Sequence, residues 1–256
     1  MKRICAYCEE DKKLTKEHIW SKCLLLRMPE LDIKFLDSKN VSFNSEMVIA
    51  DVCEECNNTK LSLLDTYFCS LYDNYFKHYI EDNIQLAFTY NYDLLLRSLL
   101  KITFNSSRTV RKRDNFFSRF KDCILYGDEI REDVLIKLDL VLPSDIKGQK
   151  MFPKSARAAR IYYKKENTDN ENFIVRLVSV NSYYFYMIIS KEETLGDDKI
   201  KEELMEILKI IPGTIIDPYS DNTNIKYISG KKTYETLIEF AKRIENSKQV
   251  FNKKQT

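Results

Sequence analysis

Four of the seven cysteines stand in two CxxC pairs, Cys5/Cys8 and Cys53/Cys56. Two residues between cysteines let one turn present both sulfurs to the same ion, and four thiolates match the tetrahedral preference of zinc. The pairs are therefore expected to share one structural zinc ion rather than to form disulfides. Between Cys8 and Cys53 lie 44 residues, 9 to 52, far more than a plain zinc ribbon needs, so something functional is expected in that excursion. It contains LTKEHIWSKCLL, with Glu17 and His18 adjacent, in a chain whose only histidines are His18 and His78. A lone histidine before an apolar residue is more often structural, but its setting between two zinc knuckles favours proton-transfer chemistry, because imidazole titrates near neutrality.

CxxC, then EHI, then CxxCN opening a helix that continues NxK resembles the bacterial HNH endonuclease family. The matching residues are Cys5, Cys8, Glu17, His18, Cys53, Cys56, Asn57 and Lys60, and they cover about the first 65 residues. The run LLRSLLKITFNSSR, Leu95 to Arg108, is similar to a segment that follows the motif in some relatives. The resemblance implies a ββα-metal fold, a β-hairpin and a helix around a catalytic cation, and hydrolysis of DNA phosphodiesters. His18 would be the general base that deprotonates water, with Glu17 and Asn57 as ligands of the cation and Asn58 in place of Asn57 if the helix phase is shifted by one. An amide oxygen is a harder ligand than imidazole, so this cation should be magnesium or manganese. On a regular strand Glu17 would point away from His18, so its ligand role requires a twist or bulge there. Asp65 reads either as a surface acid or as a support of the site. Two positions depart from the family pattern: Trp20-Ser21 replaces the proline frequent after the histidine, and Val48 stands where a middle asparagine is common, with Asn44 the nearest substitute.

The elements that must position these groups can be read from periodicity. Apolar residues at Leu61, Leu64, Phe68, Leu71, Tyr75 and Tyr79 predict a helix running out of the second CxxC, and Tyr92 to Asn105 predicts another. Alternation predicts a strand at Val134 to Leu142, another is expected at Ala159 to Tyr163, and β-branched and aromatic runs predict two more at Phe173 to Val180 and Tyr183 to Ile189, joined by a turn at Asn181-Ser182. Helices are expected at Ile200 to Ile211, stopped by Pro212-Gly213, and at Thr233 to Asn246. The fold class expected is α+β: a zinc-stapled ββα-metal module, helices, and a mixed α+β C-terminal region. The boundary is placed near residues 126 to 133, giving a nuclease module at 1–128 and an accessory domain at 129–256. Cys23, Cys69 and Cys123 read as small buried hydrophobes. Tyr162, Tyr163, Tyr183, Tyr184 and Tyr186 read as half-buried sheet residues.

Only five glycines and five prolines argue against a turn-dense all-β fold. The first residues, MKRICAYCEEDKK, show no apolar signal segment, and no run is long enough to span a membrane, so a cytoplasmic protein is expected. A net charge of +2 decides nothing, but residues 97 to 121 hold eight Lys and Arg against Asp114 alone. Arg108, Arg111, Lys112 and Arg113, with Lys60, are the expected phosphate contacts for double-stranded DNA. Two alternatives remain: a non-catalytic zinc-stapled module that binds nucleic acid or protein, and a toxic or antiphage defence nuclease controlled by a regulatory partner.

Overall fold

The structure is a computed structural model that describes residues 3–29, 33–36, 41–43, 48–80, 85–108, 115–127, 131–153, 155–161, 172–192 and 198–226. β1 (Leu14–His18) pairs antiparallel with β4 (Val48–Cys53), and the ladder carries a register shift between Thr15 and Glu17. Between them come α1 (Lys22–Arg27), β2 (Ile33–Leu36) and β3 (Val41–Phe43). Ser21 caps α1 by accepting from the backbone N–H of Leu24 at 3.4 Å.

After β4 the chain turns directly into a helix. It opens in π geometry over Cys56–Leu61, continues as α2 (Ser62–Leu71) and closes in a second π stretch, Tyr72–Phe76. The helix expected from the second CxxC is thus present. α3 (Tyr92–Ser107) is capped by Asn91, whose side chain accepts from Leu94 N–H at 2.9 Å. α4 (Lys121–Tyr126) follows a short 3-10 stretch, Asn115–Phe120.

The C-terminal half supplies most of a seven-stranded sheet. It contains β6 (Val134–Leu140), β9 (Ser155–Ile161), β10 (Phe173–Val180), β11 (Tyr183–Ser190) and β12 (Thr214–Ile215), in the order β12-β6-β11-β10-β9-β2-β3. Asn181, at φ 49°, makes the tight β10–β11 turn in the left-handed region that asparagine tolerates. β7 (Ser144–Ile146) pairs with β8 (Gln149–Met151), and β5 (Gln85–Thr89) pairs with β13 (Asn222–Lys226). β2 comes from the N-terminal half and runs parallel to β9.

Both faces of the central strands are covered. Phe173, Val175, Tyr184, Tyr186 and Ile188 pack under the apolar stripe of α5 (Asp198–Ile210), while the alternate residues Ile174, Val178, Tyr183, Phe185 and Met187 join the core beneath α2 and α3. Tyr183, Tyr184 and Tyr186 are consequently buried rather than half-buried as expected, because a second layer sits on each side. Lys137 ties α5 to the sheet by donating to the carbonyls of Leu208 and Ile211 at the helix C-terminus. The chain is therefore a mixed α+β protein. Its main core runs without interruption from Cys5 to Ile225, across the expected boundary near residue 128. The helix expected at Thr233 to Asn246 and the residues Tyr162 and Tyr163 lie outside the described residues.

Candidate metal centre and catalytic site

The ladder of β1 and β4 and the helix that follows bring the two CxxC pairs together. The sulfurs of Cys5, Cys8, Cys53 and Cys56 all lie within 4.8 Å of one another. Cys8 Sγ and Cys53 Sγ are 3.8 Å apart. A tetrahedron with zinc–sulfur bonds of about 2.3 Å has edges of about 3.8 Å, so the donor set fits zinc in both chemistry and size. The backbone N–H of Cys53 donates to Cys5 Sγ at 3.3 Å. Burial raises the Cys5 thiol, but backbone N–H groups of Cys53, Cys8 and Tyr7 outweigh it and bring it down to about 7. Burial first, then the neighbouring sulfurs, pushes Cys8 and Cys56 above the ordinary thiol range. One thiolate forms readily here; gathering four requires the positive charge of a metal ion.

β1 ends at His18, which is half-buried and pairs across the ladder with Val48. The position where the resemblance expects a middle asparagine thus lies directly opposite the imidazole-bearing residue. Asn44 lies outside the described residues. The register shift puts its extra residue on β4, with two residues between Ile49 and Val52 against one between Thr15 and Glu17, and Glu17 is turned into the protein, 2% exposed. There Lys101 Nζ meets Glu17 Oε1 at 2.8 Å and Asp65 Oδ1 at 2.5 Å. Burial pulls Lys101 down, but the carboxylates of Asp65 and Glu17 together overcome it and hold the ammonium above the ordinary lysine range. Burial also lifts the Asp65 carboxyl, against the opposing pull of Lys101. Asn105, wholly buried, donates through Nδ2 to Glu17 Oε1 at 3.1 Å and to the carbonyl of His18 at 3.3 Å.

No family model matches the chain, and no curated protein or solved structure does. The site must therefore be judged on its own geometry. Asn57, rather than Asn58, faces β1: its Nδ2 donates to Thr15 Oγ1 at 2.9 Å and to the carbonyl of Lys16 at 3.0 Å. Its contacts and those of Glu17 go to different partners, so the two expected cation ligands are not joined by any contact among the described residues. Asn57 Oδ1 accepts no hydrogen bond among the described residues. Asp65, read from sequence as either a surface acid or a support, is the second carboxylate on Lys101, with a side chain 27% exposed.

The basic stretch is largely spoken for from within. Arg97 pairs with Asp93, Arg119 with Asp133, and Lys121 with Glu9. Arg108 holds Asp51 through Nε at 3.1 Å and Nη2 at 3.2 Å and stacks over Phe104 and Tyr7. Lys60 lies 3.7 Å above the ring of the exposed Tyr126. Arg111, Lys112 and Arg113 lie outside the described residues.

Two features escaped the sequence reading. Cys23 and Cys69, expected as separate small hydrophobes, form a disulfide joining α1 to α2, with Ser21 Oγ beside both sulfurs; Cys123 is buried, as expected. Lys101 was counted in the basic stretch and Asn105 as the end of a predicted helix, both within the Leu95 to Arg108 run, and neither was given a role at the site. The signal that could have found them is their four-residue spacing on a helix otherwise lined with leucine, which places two polar side chains on one face. Among the described residues, no helix is long and apolar enough to cross a membrane.

Proposed function

We propose that the chain is a metal-dependent endonuclease of the HNH type that hydrolyses phosphodiester bonds in DNA. The observation that carries this reading is the convergence of the two CxxC pairs on a strand ladder whose first strand ends at His18 and whose second runs straight into the helix bearing Asn57. His18 takes a proton from the attacking water. Glu17 and Asn57 Oδ1 are the groups that would hold a magnesium or manganese ion, which would neutralise charge on the phosphate and on the departing 3′ oxygen. Lys101 already neutralises the buried Glu17, so taking up a cation there would require that ion pair to open. Lys60, Arg111, Lys112 and Arg113 supply phosphate contacts, while Arg108, held by Asp51, has a structural task.

The test is nicking of supercoiled plasmid by zinc-loaded protein in magnesium or manganese. Wild type should cut and His18→Ala should not, with zinc content equal in both; cutting retained by His18→Ala would refute the assignment. A second reading, a zinc-stapled binding module without catalysis, is favoured by the closed Glu17–Lys101–Asp65 cluster. It predicts salt-sensitive DNA binding with no cleavage under any metal. If cutting requires a co-purifying protein, a partner-controlled defence nuclease is the form the activity takes.

A further inference from the structure

We infer that Asn105 is a positioning residue for His18, held in its working orientation by Tyr7 of the first zinc knuckle. The proposal rests on the reading of His18 as general base only for its catalytic consequence; the geometry stands without it.

Asn105 is wholly buried and is placed where three segments meet: α3, the end of β1 and the Cys5–Cys8 knuckle. Its amide is used on both sides. Nδ2 donates to Glu17 Oε1 at 3.1 Å and to the carbonyl of His18 at 3.3 Å, and Oδ1 accepts from Tyr7 Oη at 2.7 Å. The two ends of an amide are told apart by what they face. A carboxylate and a carbonyl can only accept, and a phenol at neutral pH carries its proton and can donate. The two acceptors on β1 therefore set which way Asn105 points, and the Tyr7 hydroxyl holds it there by donating to Oδ1.

Tyr7 cannot wander. It is 1% exposed, its ring meets Phe104 edge to face with centroids 5.1 Å apart, and its chain neighbours are held by the Cys5 and Cys8 positions. One turn before Asn105, Lys101 Nζ lies 2.8 Å from the same Glu17 oxygen, Oε1. The peptide that follows His18 is thus gripped from α3 at its carbonyl, and the residue before it at its carboxylate. A strand end carrying a catalytic side chain needs such a grip, because strand termini otherwise fray and a displacement of about 1 Å at a reacting group can cost on the order of 100-fold in rate. Apolar packing alone would stabilise this region without fixing direction; a fully bonded polar network does both.

The test uses Tyr7→Phe, which removes one oxygen and leaves the ring packing, together with Asn105→Ala. Zinc content and urea stability of each full-length variant are measured first. With only His18 and His78 in the chain, the imidazole signals of His18 can be assigned by NMR against His18→Ala. At fixed pH, both variants should displace or broaden the His18 ring signals while those of His78 stay in place. Single-turnover nicking should fall by about 10- to 100-fold, with plasmid affinity unchanged within about twofold. The double variant should be no slower than Asn105→Ala, since the two act through one contact. Should Asn105→Ala fail to fold, Tyr7→Phe decides by the same signals. His18 signals that superimpose on wild type in a folded Tyr7→Phe protein overturn the proposal. If wild type cuts no substrate but the ring signals move as stated, the nuclease reading falls and the positioning role stands.

Discussion

Replacing Lys101 by methionine keeps the length of the side chain and removes its charge, leaving Glu17, 2% exposed, without the ammonium that lies 2.8 Å from it. Removing one member of a buried ion pair costs about 3–5 kcal/mol, chiefly because the remaining charge has no compensation. Asp65, with a side chain 27% exposed, can recover water and adds little to the loss. Among the described residues Glu17 keeps the amide of Asn105, which places the expected loss at pH 7 toward the middle of that range, about 4 kcal/mol. In a chain of this size that lowers the melting temperature by on the order of 10 °C. The stranded carboxylate can shed its charge only by taking a proton, so the folded variant binds more protons than its unfolded chain and gains relative stability as pH falls. Each pH unit is worth at most about 1.4 kcal/mol, so lowering pH from 7 to 5 should return up to about 2.7 kcal/mol of the loss. Adding Glu17→Gln to the variant should restore a similar amount at pH 7 and remove the pH effect. The assay is urea unfolding of zinc-loaded protein followed by circular dichroism at both pH values. A loss below about 1 kcal/mol, or one that does not change between pH 7 and 5, would refute the reasoning.

Because Lys101 is held above the ordinary lysine range, its stabilisation is fully present below the unfolded value of 10.5 and is lost as pH rises past it; alkaline unfolding monitored by circular dichroism should therefore steepen above that point in wild type but not in Lys101→Met. Wild type should bind one zinc ion per chain and Cys53→Ser none, read by colorimetric zinc assay, and the variant should loosen the Tyr7–Asn105 contact, read by proteolysis of the N-terminal half. Reducing the Cys23–Cys69 disulfide, whose cysteines are 46 residues apart in the chain, should lower stability by up to about 4 kcal/mol, with Cys23→Ser insensitive to reductant. Gly213→Ala, at φ +105° with a new Cβ 2.7 Å from the backbone of Leu138, should cost at least about 1–3 kcal/mol in urea unfolding.

Local patterns carried much of this fold. Spacing alone anticipated that two distant CxxC pairs would meet, since each pair is a turn-sized chelate that needs only its counterpart. The leucine-rich period of α3 and the β-branched and aromatic runs of β10 and β11 around Asn181-Ser182 likewise declared themselves, because both are signals of short range. The surroundings of Glu17 did not. Charged residue types are read as solvent-facing, yet Lys101 and Arg97 on α3 are buried, their partners supplied by Glu17 and Asp65 in one case and by Asp93 and the carbonyls of Ile124 and Leu125 in the other. For Lys101 those partners are 84 and 36 residues away (101 − 17 and 101 − 65), beyond any periodicity. The same distance hid the Cys23–Cys69 bond and the parallel pairing of β2 with β9.

That β2–β9 pairing bears on how the molecule could be divided. A fragment starting after residue 128 would have an unprotected margin along β9, a row of amide and carbonyl groups open to any passing chain, and an oily sheet face stripped of α2 and α3. Such a fragment should clump in solution, where the intact chain covers both the margin and the face.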